Sequence, residues 1–235
     1  MYQINNSKVE TMDLPNLPKL IDLSCVKTDI VMEDLRAMVA LAKKHRFICC
    51  FAMPCYTAWL IEQLKDDQDI QVGGAVGFPS GADLTEAKML TAERFVAAGC
   101  GELDMVINVG ALKNRDYAMV SRDLEQVKAA AGERTLKVIL EVACLTDDEI
   151  RKGSELAVRA GAAYVKTGTG WAKQPTTVEH IELIRDTIGD DAKIKAAGGI
   201  RTLRDIERMV AAGCSRFGIG IKSARNILKE AGLEA

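Results

Sequence analysis

The 235-residue chain is predicted to be an α/β protein, a single (β/α)8 barrel of the TIM type. Three observations predict it. Eight short apolar segments alternate with eight amphipathic ones along the chain. The segment Phe47-Ile48-Cys49-Cys50-Phe51 is apolar throughout instead of alternating, as in a parallel sheet covered by helices on both faces. A helix-end, glycine, strand junction recurs at Ala98-Gly99-Cys100, Ala160-Gly161-Ala162 and Ala212-Gly213-Cys214, with the glycine placed where a left-handed φ closes a helix. No composition break divides the series, so one barrel domain over 1–235 is expected, with a short N-terminal extension at about 1–17. A doubly wound open sheet is the second reading. It would need edge strands with a polar face, and the first and last strands carry no charged edge.

The elements follow in order. Residues 1–17 are polar with scattered apolar positions, and Pro15 and Pro18 mark irregular structure. The first strand spans 20–26 and carries Asp22 and Ser24 on one face. A helix over 31–44 follows, with Val31, Leu35, Met38, Val39 and Ala42 as its apolar face. The second strand covers 46–51, and Pro54 turns the chain into a helix over 56–64. The third strand, 71–76, ends in Gly77-Phe78-Pro79-Ser80-Gly81, and a helix over 84–98 starts among acidic Asp83 and Glu86, which suit a helix N-terminus. A fourth strand reaches Val106, followed by a helix at 117–130, a strand at 136–140 and a helix at 147–160. The sixth strand ends at Lys166, with a helix at 178–188 after it. A strand at 192–196, a helix at 202–211, a strand at 217–220 and a helix at 223–230 complete the series.

Composition narrows the function. With 48% apolar and 27% charged residues the chain is of ordinary globular type. A net charge of −2 offers no attraction to nucleic acid or an anionic membrane, so neither partner is expected. No apolar run reaches the roughly 18 residues of a membrane span. The N-terminus lacks a charged region followed by an apolar one, so no signal peptide is expected. The seven cysteines are an odd number without a paired Cys-x-x-Cys set, and the only histidines are His45 and His180. No metal site is therefore expected; buried free thiols in a reducing, cytoplasmic setting are.

In a barrel of this kind the active site lies at the C-terminal ends of the strands. The stretch Tyr164-Val165-Lys166-Thr167-Gly168-Thr169-Gly170 is an apolar strand that ends on a lysine and opens into small residues. Alone, Lys166 reads as a solvated strand-end lysine. Other strand ends supply Asp22 and Ser24, Cys50 and Met53, Asp104 with Asn108, Glu141, Lys195, and Gly218 with Gly220 and Lys222. Ionised groups on buried strands need partners or a task; a structural ion-pair cluster is the alternative to catalysis. Two neighbouring lysines each make the other easier to deprotonate. A neutral Lys166 can attack an aldehyde and form a Schiff base, with Asp104 shuttling protons and Lys195 keeping Lys166 unprotonated. Gly198-Gly199 and Gly218-Ile219-Gly220 each leave a strand and enter a helix, with Arg201 and Lys222 beside them, which suits a phosphate cradle. Thr169 and Gly170, in the loop after Lys166, are assigned to the substrate.

These motifs carry a resemblance. Gly77-Phe78-Pro79-Ser80-Gly81-Ala82 with Thr85-Glu86-Ala87-Lys88, Glu102 to Lys113, Tyr164-Val165-Lys166-Thr167 and Lys195 to Thr202 together resemble the deoxyribose-phosphate aldolase family of class I aldolases, over about 20–223. The resemblance implies an eight-stranded α/β barrel. It also implies reversible cleavage of 2-deoxy-D-ribose 5-phosphate to D-glyceraldehyde 3-phosphate and acetaldehyde, without metal or cofactor. By the matched motifs, Lys166 is the Schiff-base lysine, Asp104 the relay aspartate and Lys195 the second lysine, while Asp22 and Cys50 match pocket positions. A small sugar phosphate and an aldehyde are the implied partners, and the assembly a monomer or homodimer. The chain departs from the family at the last turn, Gly218-Ile219-Gly220-Ile221-Lys222-Ser223, where small hydroxyl residues are usual. It departs also at Gly168, at Trp171, and at Phe51-Ala52-Met53-Pro54, where many members have Asn before Pro. A related aldolase on a different or unphosphorylated hydroxy-aldehyde, and a non-catalytic sugar-phosphate-binding barrel, are the alternatives.

Overall fold

A computed structural model describes residue 14 and residues 16–233. The expected N-terminal extension lies outside the described residues except at its end, where Leu17–Leu20 form a turn of 3-10 helix containing Pro18. Eight parallel strands close into a barrel in chain order: β1 (Ile21–Cys25), β2 (Cys49–Ala52), β3 (Gln71–Val76), β4 (Glu102–Val106), β5 (Thr135–Ile139), β6 (Tyr164–Lys166), β7 (Lys193–Ala197) and β8 (Arg216–Gly220). β8 pairs with β1 through Ile21↔Phe217 to Ser24↔Gly220, which rules out the open sheet. The helices are α1 (Met32–His45), α2 (Thr57–Leu64), α3 (Thr85–Ala98), α4 (Val109–Lys113), α5 (Tyr117–Ala131), α6 (Asp147–Arg159), α7 (Val178–Ile188), α8 (Leu203–Ala211) and α9 (Ile221–Glu230). Among the described residues, no helix is long and apolar enough to cross a membrane.

The predicted glycine junctions hold. Gly99, Gly161 and Gly213 have φ of 103°, 83° and 98° just past the ends of α3, α6 and α8, where a Cβ would meet the following carbonyl. Most bounds shift by only a residue or two, and three differences from expectation have a clear local cause. β2 starts at Cys49 because Arg46 closes α1 in a left-handed conformation (φ 57°), and the chain needs the next residues to turn. The short α4 was not expected; the Asn108 side chain accepts from the Ala111 N–H and starts a helix at the end of β4. α9 begins at Ile221, directly on Gly220, so no loop separates it from β8. Of the cysteines, Cys25, Cys49, Cys50, Cys100 and Cys214 are buried, but Cys55 and Cys144 are exposed, each within a single 3-10 turn; all seven are free.

Alternation along the strands sorts side chains between two cores. On β2, Cys50 and Ala52 join the apolar layer between barrel and helices, whereas Phe51 points inward, its ring beside lysines of β5, β6 and β7. Phe51 stands opposite Gly73 in the β2–β3 register. A Cβ at Gly73 would lie 2.1 Å from the ring's Cζ, so β3 must present a hydrogen there. Gly73→Ala is therefore expected to destabilise the fold by about 1–3 kcal/mol through overpacking, measured as a lowered urea midpoint; an unchanged midpoint would show that the ring moves aside freely.

Candidate active site

The inner face of the barrel is charged. Lys137 on β5 donates to Glu102 (2.5 Å), Asp104 (3.0 Å) and Asp22 (3.1 Å). Arg216, at the start of β8, donates from Nε to Asp22 (2.5 Å) and from Nη2 to Glu102 (2.8 Å). Lys195 lies between Asp104 (2.6 Å) and Asp22, and Lys166 donates to Asp104 at 2.8 Å. Register explains the convergence: Lys166 pairs with Lys195 across β6–β7, and Asp104 with Lys137 across β4–β5. Three carboxylates thus face four bases in a largely buried space, so one base is surplus. Lys166 is the most open of the four bases at 7% exposure, and the only one lining the cavity above.

The proton affinities follow this arrangement. Burial, reinforced by Lys195 and Lys137, outweighs the pull of Asp104 and brings Lys166 down to about 8. Burial acts to raise Asp104, but Lys137, Lys166 and Lys195 together hold it well below the usual carboxylate range. Asp22 is depressed in the same way, against burial, by Lys137, Lys195 and Arg216. Lys137 goes the other way: despite burial, Asp104 and Asp22 raise it well above an ordinary lysine. Asp104 and Asp22 stay ionised, Lys137 stays charged, and Lys166 is the base that can shed its proton near neutral pH. An amine so placed can attack a carbonyl.

Above Lys166 opens a cavity of about 1140 Å³. The loop after β6 forms one wall. Thr169 donates through its N–H and hydroxyl to Glu141, and its hydroxyl accepts from the Trp171 N–H. A Cβ at Gly168 would come within 2.8 Å of a Glu141 oxygen and 3.2 Å of the Ala197 carbonyl, which explains glycine there. Trp171 bridges the mouth: its Nε1–H donates to the Val26 carbonyl at 2.8 Å, and its ring meets Phe78 edge-on at 5.9 Å. The cavity is also lined by Gly198, Gly199, Gly218, Gly220 and Lys222, with Gly198 packed beside Gly170. The two predicted phosphate turns differ. The N-terminus of α9 on Gly220 has no side-chain cap and leaves its N–H groups free for an anion. That of α8 is closed by Thr202 and Asp205, whose carboxylate already accepts from the Arg201 and Thr202 N–H groups. Gly198 and Gly199 line the cavity, with φ of 99° and 80°, but the helix after them is not an open anion site.

Lys166, Asp104, Thr169, Gly170 and the four glycines line one cavity. Lys195 and Asp22 lie beneath it, bonded to each other, with Lys195 also on Asp104. Cys50 is not a pocket residue: strand alternation turns it into the helix layer and gives its place to Phe51. Lys137, Glu102 and Arg216 were missed. Each is a charged residue beside apolar neighbours on its strand, a signal that strand periodicity alone could have raised. Among the described residues, Asp22, Cys49 and Glu102 converge as potential metal ligands. Their carboxylates already hold Lys137 and Arg216, which supply the positive charge there, so the group does not fit a metal.

Comparison with known proteins agrees with this geometry. The pattern of the DeoC/LacD family aldolases matches residues 10–230. The deoxyribose-phosphate aldolase of Staphylococcus carnosus is 42% identical over 200 residues, covering 85% of this chain and 90% of the relative. The solved structure of the aldolase QR15 superposes with a TM-score of 0.86 at 30% identity, covering 93% of this chain and 96% of that one. The tetrameric deoxyribose phosphate aldolase of Aeropyrum pernix superposes with a TM-score of 0.79 at 28% identity, over 92% and 90% of the two chains.

Lys137 touches all three carboxylates, so its loss should be costly. Lys137→Met is expected to remove about 3–5 kcal/mol of stability in urea unfolding, as buried charges are left unpaired, and adding Glu102→Gln should recover part of it. A loss within experimental error would show that water reaches the network and screens it.

Proposed function

The chain belongs to the DeoC/LacD family of aldolases, and we propose that it cleaves 2-deoxy-D-ribose 5-phosphate reversibly to acetaldehyde and D-glyceraldehyde 3-phosphate through an imine on Lys166. The observation that carries this reading is the surplus base. Lys166 sits at the floor of the cavity, 2.8 Å from Asp104, in a cluster whose other bases are matched by carboxylates.

The amine of Lys166 adds to C1 of the open-chain sugar, and water leaves as the protonated imine forms. Removal of the C3 hydroxyl proton lets the C2–C3 bond break. Its electron pair moves to the imine nitrogen, giving an enamine and freeing glyceraldehyde 3-phosphate. Protonation at C2 and hydrolysis return acetaldehyde and the free amine. Asp104, ionised and hydrogen-bonded to both Lys166 and Lys195, is placed to carry protons through water between the substrate and Lys195. The imine itself serves as the electron sink, so this chemistry calls for no cofactor. The free α9 N-terminus and Lys222 take the phosphate in place of the small hydroxyl residues usual in the last turn. Its free, mostly buried thiols suit a reducing cytoplasm.

Acetaldehyde followed by borohydride is expected to add one reduced ethyl group at Lys166, found by peptide mass mapping, and Lys166→Ala should abolish it. Because the folded Lys166 sits near 8, adduct formation should rise roughly tenfold between about pH 7 and about pH 9 as the amine is uncovered; no adduct in folded protein would sink the aldolase reading. Lys222→Ala should raise KM for deoxyribose 5-phosphate about fivefold, the scale of roughly 1 kcal/mol for an exposed charge contact, while leaving free deoxyribose unaffected. Equal effects on both sugars would remove Lys222 from the phosphate end.

A further inference from the structure

The loop after β6 ends on a residue that the proposed chemistry leaves unused. Trp171 sends its Nε1–H to the carbonyl of Val26, just past β1, and sets its ring edge-on against Phe78, just past β3. In a closed barrel ordered β1 to β8, β1 and β3 flank β2, which stands across the barrel from β6. A residue of the β6 loop that touches both segments therefore spans the mouth. Both rings are held from behind. Glu141 fixes Thr169, whose hydroxyl accepts from the Trp171 N–H. The buried Lys88 donates to the Gly81 carbonyl and to Asp123, each at 2.6 Å, and so pins the turn that carries Phe78.

The span leaves the cavity lopsided. Among the described residues, none from 105–165 lines it. Its glycine-rich turns and Lys222 lie at or past the ends of β7 and β8. On the β2–β3 side the lining is apolar: Phe51, Ala75, Phe78 and the indole, whose one polar atom is taken by Val26. These residues adjoin the reacting pair. Ala75 pairs with Asp104 across β3–β4, and the Phe51 ring centre is 5.9 Å from the Lys166 nitrogen. A sugar phosphate held through C1 on Lys166 and through its phosphate on the α9 N-terminus runs from β6 toward β8. A further carbon on C1 or C2 is left with the β2–β3 side, against these apolar walls.

We propose that Trp171 is the specificity-determining residue for the carbonyl compound that Lys166 takes up. Latched to Val26 and set against Phe78, its indole closes the cavity beside C1 and C2, so that a two-carbon aldehyde forms the imine in preference to longer ones. The proposal rests on the reading of Lys166 as the imine-forming residue. A wall of this kind discriminates by shape. An aldehyde with one methylene too many must displace a ring that is tied on both sides, at a cost of roughly tenfold or more in reactivity. The indole is 42% exposed, so truncating it opens the wall without hollowing the core.

The test offers the chain acetaldehyde and butanal together at equal concentration, traps the imines with borohydride, and reads ethyl against butyl at Lys166 by peptide mass mapping. Comparing the ratio between chains cancels the intrinsic reactivity of the two aldehydes. The unaltered chain is expected to favour the ethyl adduct by about tenfold or more. Trp171→Ala should narrow that ratio at least about fivefold, by gaining butyl adduct. Trp171→Phe, which keeps a ring against Phe78 but has no N–H for Val26, should fall between, and it carries the test if Trp171→Ala does not fold. A ratio unchanged in both variants, with both adducts lost in equal proportion, overturns the proposal, because a loop that is merely loosened costs every aldehyde alike. So does an unaltered chain that takes butanal as readily as acetaldehyde. Absence of any Lys166 adduct in the unaltered chain would instead sink the imine reading itself.

Discussion

Charge matching in a buried space is the constraint on which this molecule turns. Asp22, Glu102 and Asp104 cannot be buried ionised without cations, and Lys137, Lys195 and Arg216 cannot be buried charged without carboxylates. Each of these six groups has at least two partners of opposite sign within hydrogen-bonding distance. Lys166 shares its single carboxylate, Asp104, with two other lysines. The same network that stabilises the barrel interior therefore leaves one base under-compensated, and that base is the one facing the cavity. Stability of the interior and the low proton affinity of Lys166 come from a single arrangement.

The barrel supplies the geometry that makes such a network possible. Parallel strands in continuous register bring residues distant in sequence side by side: Lys195 and Asp22 are 173 residues apart and hydrogen-bonded. Closure through β1 and β8 is what lets Arg216 reach Asp22. In an open sheet these two strands would stand at opposite edges, and the network would lack one cation and one carboxylate contact. Glycines at Gly73 and Gly168 then make room for Phe51 and Glu141, so the wall of the cavity is shaped by missing side chains as much as by present ones.

The turns after β7 and β8 show how local capping decides what a glycine-rich turn can do. Both Gly198-Gly199 and Gly218 to Gly220 lead a strand into a helix. At α8 the peptide N–H groups are consumed by Asp205 and Thr202; at α9 no side chain takes them. The same sequence signature yields one closed and one open helix terminus, and only the open one, beside Lys222, keeps N–H groups that no side chain takes.

Much of this was legible in the sequence. Alternating apolar and amphipathic segments, with glycine at three helix ends, determined the eight units, because hydrophobic periodicity and left-handed helix closure are local properties of the chain. Lys166, Asp104 and Lys195 were visible as charges at strand ends. The missing parts have one cause. Inward or outward direction on a strand of four or five fully apolar residues is not encoded by alternation, so Cys50 and Phe51 could not be told apart until the closed barrel fixed the register. Lys137, Glu102 and Arg216 looked like isolated charges for the same reason, since their partners lie on strands up to 194 residues away. The sequence determined that a lysine would stand at the catalytic face. Only the tertiary structure showed why that lysine, Lys166, is the under-compensated base, because that depends on counting every ionised group enclosed with it.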